Sequence, residues 1–280
     1  MKTLYITDLD GTLLNDEGRV STRSAELISG LSHRGVAISV ATARTPATVE
    51  PLLADTYTTA DLVVMTGATL WSRVHHCFED MHLLPEADVR LMLRVFAETG
   101  LAPFCYVQRD GSHLDVYHEG ADLTAAERKF VDERAHLRLK TFHLREACPV
   151  DACGRVVLFF GMGSKEKIVD AAERLRSESD CYISYYKDTY TPDLWLLEIF
   201  APGVSKAAGI ERLLRKIHAD RLVAFGDNLN DIPMLRMADV AVAVGNALPE
   251  VKAIADIVIG SNNEDAVARA ICDFESSQNA

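Results

Sequence analysis

Apolar residues fall along this chain in two different rhythms. Toward both ends the apolar runs are short and continuous: residues 3–7, 36–41 and 62–65 in the first third, then 222–225, 240–244 and 257–259 near the C-terminus. Continuous runs, rather than alternating ones, predict strands buried on both faces, as in a parallel sheet covered by helices. A helix fits between the first two runs, because Leu27, Ile28 and Leu31 share one face, Ser21 suits its cap and Gly35 its stop. The middle of the chain reads differently. A helix is expected near 87–99, with Val89, Met92, Leu93 and Phe96 on one face. Strand-like segments follow at 103–108 and 113–117 around Gly111, then a charged helical stretch at 124–139, a strand at 155–160, a helix from Ser164, and strands at 181–186 and 194–200. That set predicts an α+β unit with mixed or antiparallel pairing. The polar residues 276–280 are expected to fray. The expected fold class is therefore α/β: a Rossmann-like parallel-sheet core from residues 1–81 and 194–280, with an α+β domain inserted at 82–193. Ligands of such cores sit at the carboxyl ends of the strands.

Composition narrows the function. The chain carries 29 Lys+Arg against 41 Asp+Glu, a net charge of -12, which argues against a nucleic-acid binder needing a basic footprint. The N-terminal MKTLYITDLDGT has no long apolar stretch before its charges, unlike a signal peptide, and no apolar run approaches the ~20 residues of a membrane span. The six cysteines form no CxxC pair, so a reduced, cytoplasmic chain with partly buried thiols is expected.

Four strand ends carry polar motifs. The first strand runs into Asp8-Leu9-Asp10-Gly11-Thr12, where two carboxylates two residues apart point the same way. They repel unless a cation or a shared proton compensates, and hard cations choose such oxygen donors. The second strand ends in Ala41-Thr42-Ala43-Arg44, which reads either as a helix N-cap or as an anion-holding turn. Lys206 stands at the start of a helix, against its macrodipole, which is tolerable if exposed and useful if it faces an anion. The fourth motif is Gly226-Asp227-Asn228-Leu229-Asn230-Asp231; it is no EF-hand loop, since Ile232 and Ala238 stand where Gly and Glu are required. His75-His76 reads as a hairpin surface, and Gly161–Lys165 as a strand-to-helix turn lacking phosphate-loop spacing. Tyr182, Tyr185, Tyr186, Tyr190 and Trp195 are dense in the inserted region and read as partly core, partly pocket rim.

Taken together and in this order, the motifs resemble the haloacid dehalogenase (HAD) superfamily, in its Cof-type branch with a large C2-type (C2B) cap. The stretch from Ala224 through Leu235 and the segment from Val242 to Ala247 carry the resemblance most closely. It implies a magnesium-dependent phosphatase acting on a small phosphorylated metabolite, a sugar phosphate favoured, without nucleic-acid or membrane partners and as a monomer or small homo-oligomer. It assigns Asp8 as nucleophile and Asp10 as general acid and base. Mg²⁺ would be held by Asp8, the Asp10 backbone carbonyl and Asp227, with Asp231 supporting it from behind. Thr42, with Ala43 beside it, and Lys206 would hold the phosphoryl group, and Asn230 would orient Lys206 or the phosphate. An acid two residues after the nucleophile accompanies phosphatases and phosphomutases among the relatives, whereas cation-pumping ATPases carry Thr there. A phosphomutase and a non-catalytic phosphometabolite-binding module stay open as alternatives. Three positions depart from the pattern: Ala43 for the usual Gly, Thr66 for the usual Asn before Gly67, and Ala266 for a common Gly.

Overall fold

The computed structural model describes residues 2–188 and 191–278, so Tyr190 and the last two residues lie outside it. The chain divides into two compact units, Met1–Glu79 with Ser205–Ala280, and Asp80–Val204. The first unit opens with β1 (Thr3–Thr7), α1 (Thr22–His33), β2 (Ala37–Val40), α2 (Pro46–Leu52), β3 (Leu62–Val64), β4 (Thr69–Ser72) and β5 (Cys77–Glu79). The inserted unit contains α3 (Glu86–Thr99), β6 (Phe104–Gln108), β7 (Leu114–His118), α4 (Ala125–Asp132), β8 (Lys140–Leu144), β9 (Val156–Gly163), α5 (Lys165–Glu178), β10 (Tyr182–Lys187) and β11 (Trp195–Phe200). The first unit resumes with α6 (Lys206–Ile217), β12 (Arg221–Gly226), α7 (Ile232–Met237), β13 (Val240–Ala243), α8 (Pro249–Lys252), β14 (Ile257–Val258) and α9 (Ala266–Gln278). No helix among the described residues is long and apolar enough to cross a membrane.

The first unit is built on a parallel sheet in the order β14-β13-β12-β1-β2. Every residue of β1 and β2 is buried, as their continuous apolar runs require. A bridge between Ala41 and Val63 continues the sheet toward β3, which starts an antiparallel β3-β4-β5 meander. Ser21 caps α1 by accepting the Ser24 N–H at 3.0 Å, a contact worth about 1 kcal/mol to a helix. Because β1 lies between β2 and β12, the chain order reverses at β1, and a crevice opens at the carboxyl ends of these three strands. Asp8, the Thr42 loop and Asp227 follow those strands.

The inserted unit carries its own six-stranded sheet, β10-β11-β9-β6-β7-β8, antiparallel except for the β7–β8 pair. Alternation sends Cys105, Val107, Phe159, Leu197 and Ile199 to one face, where they pack with Val89, Met92 and Phe96 of α3 and Ile168 and Leu175 of α5. The boundary expected at residue 194 lies instead between Val204 and Ser205. The cause is β11, which is hydrogen-bonded on one edge to β10 and on the other to β9 and so belongs to the inserted sheet. The helix expected over 124–139 is shorter, ending at Asp132, and its cap is Thr124, which accepts from the Glu127 N–H. His75 and His76 lie in the β4–β5 turn, and Gly161–Gly163 continue β9 into the α5 cap at Ser164.

Candidate active site

The first acidic motif is shaped by a wide helical turn over Leu9–Leu13, closed by Leu14 N–H donating to Leu9 O at 2.9 Å. Asp8 stays in the sheet ladder, its N–H donating to Phe225 O at 3.0 Å. Gly11 bends the turn at a φ of +80°, and a Cβ there would stand 2.6 Å from Asp227 Oδ2, so only glycine lets this loop pass so close to Asp227. Thr12 Oγ1 donates to Asp227 Oδ1 at 2.8 Å, and Asn246 Nδ2 donates to Gly11 O at 2.7 Å. Thr12 therefore ties this loop to the Asp227 loop, and Asn246, from the segment after β13, holds it at Gly11.

The second acidic loop is organised by Asp231. Its Oδ2 accepts the N–H groups of Asp227 (3.0 Å) and Asn228 (3.1 Å). Its Oδ1 accepts from Lys206 Nζ at 2.7 Å, and the same ammonium donates to Asp8 Oδ1 at 2.6 Å. All three groups are out of water: Lys206 is 3%, Asp8 7% and Asp231 0% exposed. Lys206 opens α6 behind the Ser205 cap. At that end of a helix its charge is unfavourable by itself, and the two carboxylates supply the compensation.

Carboxylate oxygens of Asp8, Asp227 and Asp231 lie within 4.8 Å of one another. Burial pushes Asp8 up to about 7, reinforced by Asp231 and Asp227 and opposed by Lys206. Burial likewise raises Asp227 to about 6, with the Thr12 hydrogen bond working against it and Asp231 with it. For Lys206 burial pulls downward, but Asp8 and Asp231 overrule it and its pKa is raised. When all three are ionised, three carboxylates facing one ammonium leave an excess of two negative charges, which is why burial and mutual repulsion raise Asp8 and Asp227. That set of hard oxygen donors and that charge excess suit a divalent cation such as Mg²⁺.

Asp10 is not part of this trio. Its carboxylate turns to Arg44, which donates through Nε at 2.7 Å and Nη2 at 2.6 Å. Thr42 is buried; its N–H donates to Val63 O at 2.9 Å, and its Oγ1 accepts from the Arg44 N–H at 3.2 Å, which leaves its own hydroxyl hydrogen free to donate. Ala43 is partly exposed between them. This loop is clamped from below by the turn Met65–Gly67, through Thr66 N–H to Thr42 O and Met65 N–H to Arg44 O, both at 3.0 Å. Asn230 points to solvent on the short turn Leu229–Asp231. Lys206 donates to Asp231, which that turn directs inward, while Asn230 stands outward.

A family profile described as haloacid dehalogenase-like hydrolase matches residues 5–271. The chain belongs to that family. It is 25% identical over 272 residues to the 5-amino-6-(5-phospho-D-ribitylamino)uracil phosphatase YcsE of Bacillus subtilis, covering 96% of this chain and 94% of that one. It is 25% identical over 275 residues to a phosphoglycolate phosphatase of Methanopyrus kandleri, covering 96% and 95%. Among solved structures, a haloacid dehalogenase-like hydrolase from Bacteroides thetaiotaomicron shares the fold with a TM-score of 0.79 at 23% identity, over 98% of this chain and all 100% of that one. A HAD subclass IIB sugar phosphatase matches with a TM-score of 0.71 at 23% identity, over 98% and 99%.

In this HAD-like hydrolase three site contacts escaped the sequence reading: the Arg44 fork on Asp10, the Thr12 hydroxyl on Asp227, and Asn246 on Gly11. Thr12 and Arg44 lie inside motifs already singled out, so their polarity beside carboxylates was the available signal. Asn246 lies 235 positions from Gly11, and nothing local marks that pairing.

Proposed function

We propose that the chain is a phosphatase that hydrolyses small phosphate monoesters through a covalent aspartyl-phosphate on Asp8. The observation that carries this reading is the buried Lys206 ammonium held between Asp8 and Asp231, at 2.6 and 2.7 Å, beside Asp227. A carboxylate attacking a phosphate dianion meets strong charge repulsion, and a site that hydrolyses such esters must cancel it. Lys206 lowers the negative charge around Asp8 and aligns the oxygen that attacks phosphorus. Asp8, Asp227 and the Asp10 carbonyl would hold Mg²⁺, which when bound neutralises phosphoryl charge. Thr42, through its free hydroxyl hydrogen, holds a phosphoryl oxygen, and the Ala43 methyl narrows the space beside it.

Asp8 attacks in line, the ester P–O bond breaks, and Asp10 gives its proton to the leaving oxygen. Water then attacks the aspartyl-phosphate while the Asp10 carboxylate takes up its proton, releasing phosphate and restoring Asp8. For this, Asp10 must leave Arg44. The pair is partly solvent-exposed, so water can solvate both groups as Asp10 rotates away from the two-point fork. Asp231 positions both Lys206 and the Asp227 loop. The inserted unit would select the leaving group. Of the named relatives, one acts on a phosphoribityl compound and one on sugar phosphates, both esters on polyhydroxylated carbon chains, while a third acts on the short acid ester phosphoglycolate; a sugar phosphate is therefore the favoured substrate.

The test is phosphate release from a panel of sugar, polyol and short-acid phosphates, with and without Mg²⁺. Release should require Mg²⁺, and Asp8→Asn should lower kcat by about 10⁴-fold or more, as loss of a nucleophile does elsewhere. If every member stays intact, the reading fails; an isomerised phosphosugar in place of free phosphate would redirect it to a phosphomutase.

A further inference from the structure

The first unit holds a cavity of about 350 Å³ that the chemistry above does not use. Its walls come from the end of α1, from Glu50 on α2 with the segment after that helix, and from the β4–β5 turn. In the parallel sheet, the carboxyl ends of β1 and β2 lead to Asp8 and Thr42. His33 closes α1 shortly before β2 begins, and residues 53–58 run from α2 toward the start of β3. The cavity therefore stands at the amino ends of these strands. A strand the length of β1, five residues, spans about 16 Å, so the cavity is separate from the carboxylate trio. Its volume is that of a small-molecule site.

Arg73 braces the floor. Its guanidinium donates to Glu50 Oε2 at 3.3 Å, to Leu53 O at 2.8 Å and to Thr56 O at 2.5 Å. Glu50 Oε1 accepts from the indole N–H of Trp71 at 2.5 Å. Arg73 is the only Lys or Arg among the lining residues, and it is spent on these acceptors. Asp55, exposed at the rim, has no hydrogen-bond or ion-pair partner among the described residues. Arg73 balances Glu50, so Asp55 leaves the wall one negative charge in excess. Tyr57 supplies an aromatic surface: its ring stacks on His33 with centroids 4.4 Å apart, yet the residue stays 42% exposed. Two hydroxyls have bonding capacity to spare. Ser29 Oγ accepts the Tyr57 N–H at 2.8 Å and keeps its own hydrogen to donate. Thr56 is buried, and its Oγ1 has no hydrogen-bond partner among the described residues, a costly state that a ligand in the cavity would relieve.

We infer that this cavity binds a neutral, polyhydroxylated small molecule, a free sugar or polyol. A hydroxyl group both donates and accepts, and these walls ask for both: Asp55 accepts, Ser29 donates and Thr56 can do either. The C–H face of a sugar ring is apolar and covers the exposed part of the Tyr57 ring. An anion meets the excess charge of Asp55 and finds no free Lys or Arg, so a phosphate ester is turned away. An organic cation would satisfy Asp55 but leave the Ser29 hydrogen without an acceptor. Binding in this cavity needs neither Mg²⁺ nor Asp8.

The test uses the full-length chain carrying Trp195→Phe, so that Trp71, bonded to Glu50, is the one indole left. D-Glucose, D-ribose, ribitol and myo-inositol, their phosphate esters, and spermidine are titrated in chelator, with saturation-transfer NMR alongside the Trp71 emission. At least one free sugar or polyol should saturate, and its phosphate ester should bind more weakly by about tenfold or more. Tyr57→Ala and Asp55→Asn should each weaken binding by about tenfold, the worth of one good contact. Both residues are exposed, and thermal melts check the fold of each variant. Asp8→Asn should bind the sugar as the parent does, which separates this cavity from the site of the proposed reaction. No binding by either method, equal binding of ester and free sugar, binding unaffected by Tyr57→Ala and Asp55→Asn, or saturation by spermidine alone would overturn the assignment.

Discussion

Lys206 has two roles that its variants pull apart. It cancels charge between Asp8 and Asp231, and under the proposed mechanism it shapes the field in which Asp8 attacks. Lys206→Ala leaves the buried carboxylates of Asp8 and Asp231 without their counter-charge, and stranding buried charge in this way costs about 3–5 kcal/mol. We expect a marked drop in Tm in chelator, partly restored by Mg²⁺, and a loss of about 10²–10³-fold in kcat that Mg²⁺ does not restore. A kcat rescued together with Tm would assign Lys206 to stability alone. Asp8 and Asp227 give the pH dependence. Their folded-state values, about 7 and about 6, lie above the 3.8 of an unperturbed aspartate. Between 3.8 and about 7 the folded, metal-free protein therefore binds more protons than the unfolded chain, so its stability falls as pH rises through that window. A divalent cation competes with those protons, so the Mg²⁺-induced rise in Tm should grow with pH across the same window and level off above it. Cation binding should also release protons near pH 6, measurable by calorimetry in buffers of differing ionisation enthalpy. A Mg²⁺ shift independent of pH would detach the two carboxylates from the cation site.

At the scale of elements, the turn Met65–Gly67 supports the Thr42 loop under strain. Met65, Thr66 and Gly67 all have left-handed φ values, +52°, +57° and +87°. Glycine is required at the last, where a Cβ would stand 2.1 Å from Ser205 O. Thr66 is the unfavourable member: a β-branched side chain in this region costs about 1–3 kcal/mol, and its buried Oγ1 has no hydrogen-bond partner among the described residues. Asparagine adopts this conformation far more readily, so Thr66→Asn should stabilise the protein by about 1 kcal/mol and raise Tm by about 2–4 °C. An unchanged or lower Tm would show that the pocket around Thr66 is fitted to threonine. This turn also marks the limit of what was legible. The strand ends bearing Asp8, Thr42 and Asp227 could be read because buried parallel strands have continuous apolar runs and the polar residues stop them abruptly. Asp231 could be placed near the site but not inside it, since the inward aim of its side chain depends on a turn only three residues long. The Asp10–Arg44 pair spans two loops 34 positions apart and leaves no periodic trace. The end of the inserted unit was missed for a related reason: the run 195–200 reports burial, and burial alone does not say which sheet a strand joins.

For the molecule as a whole, the decisive feature is that the first unit is split in sequence yet its two cut ends meet the same segment. Glu79 O accepts from Thr69 Oγ1 at 3.0 Å, where the chain leaves this unit. Ser205 O packs against Gly67, where the chain returns. Gly67 and Thr69 are separated only by Ala68, so a short flexible linker can join Glu79 to Ser205 without disturbing the sheet. Each unit also has a core of its own, the inserted one built around Phe96, Phe159 and Leu197. Two cores and adjacent cut ends are the conditions under which an insertion can be removed. We therefore expect a chain lacking residues 80–204, with Glu79 joined to Ser205 through a Gly/Ser linker, to melt cooperatively and to keep a Mg²⁺-dependent rise in Tm. That rise should vanish in the Asp227→Asn form of the same shortened chain. Under the proposed division of labour, the shortened chain should still release phosphate from small activated esters while its preference among metabolites flattens. A cooperative melt without any response to Mg²⁺ would mean that the carboxylate trio needs the inserted unit for its geometry, and a non-cooperative melt would mean that the first unit cannot fold from its two segments alone.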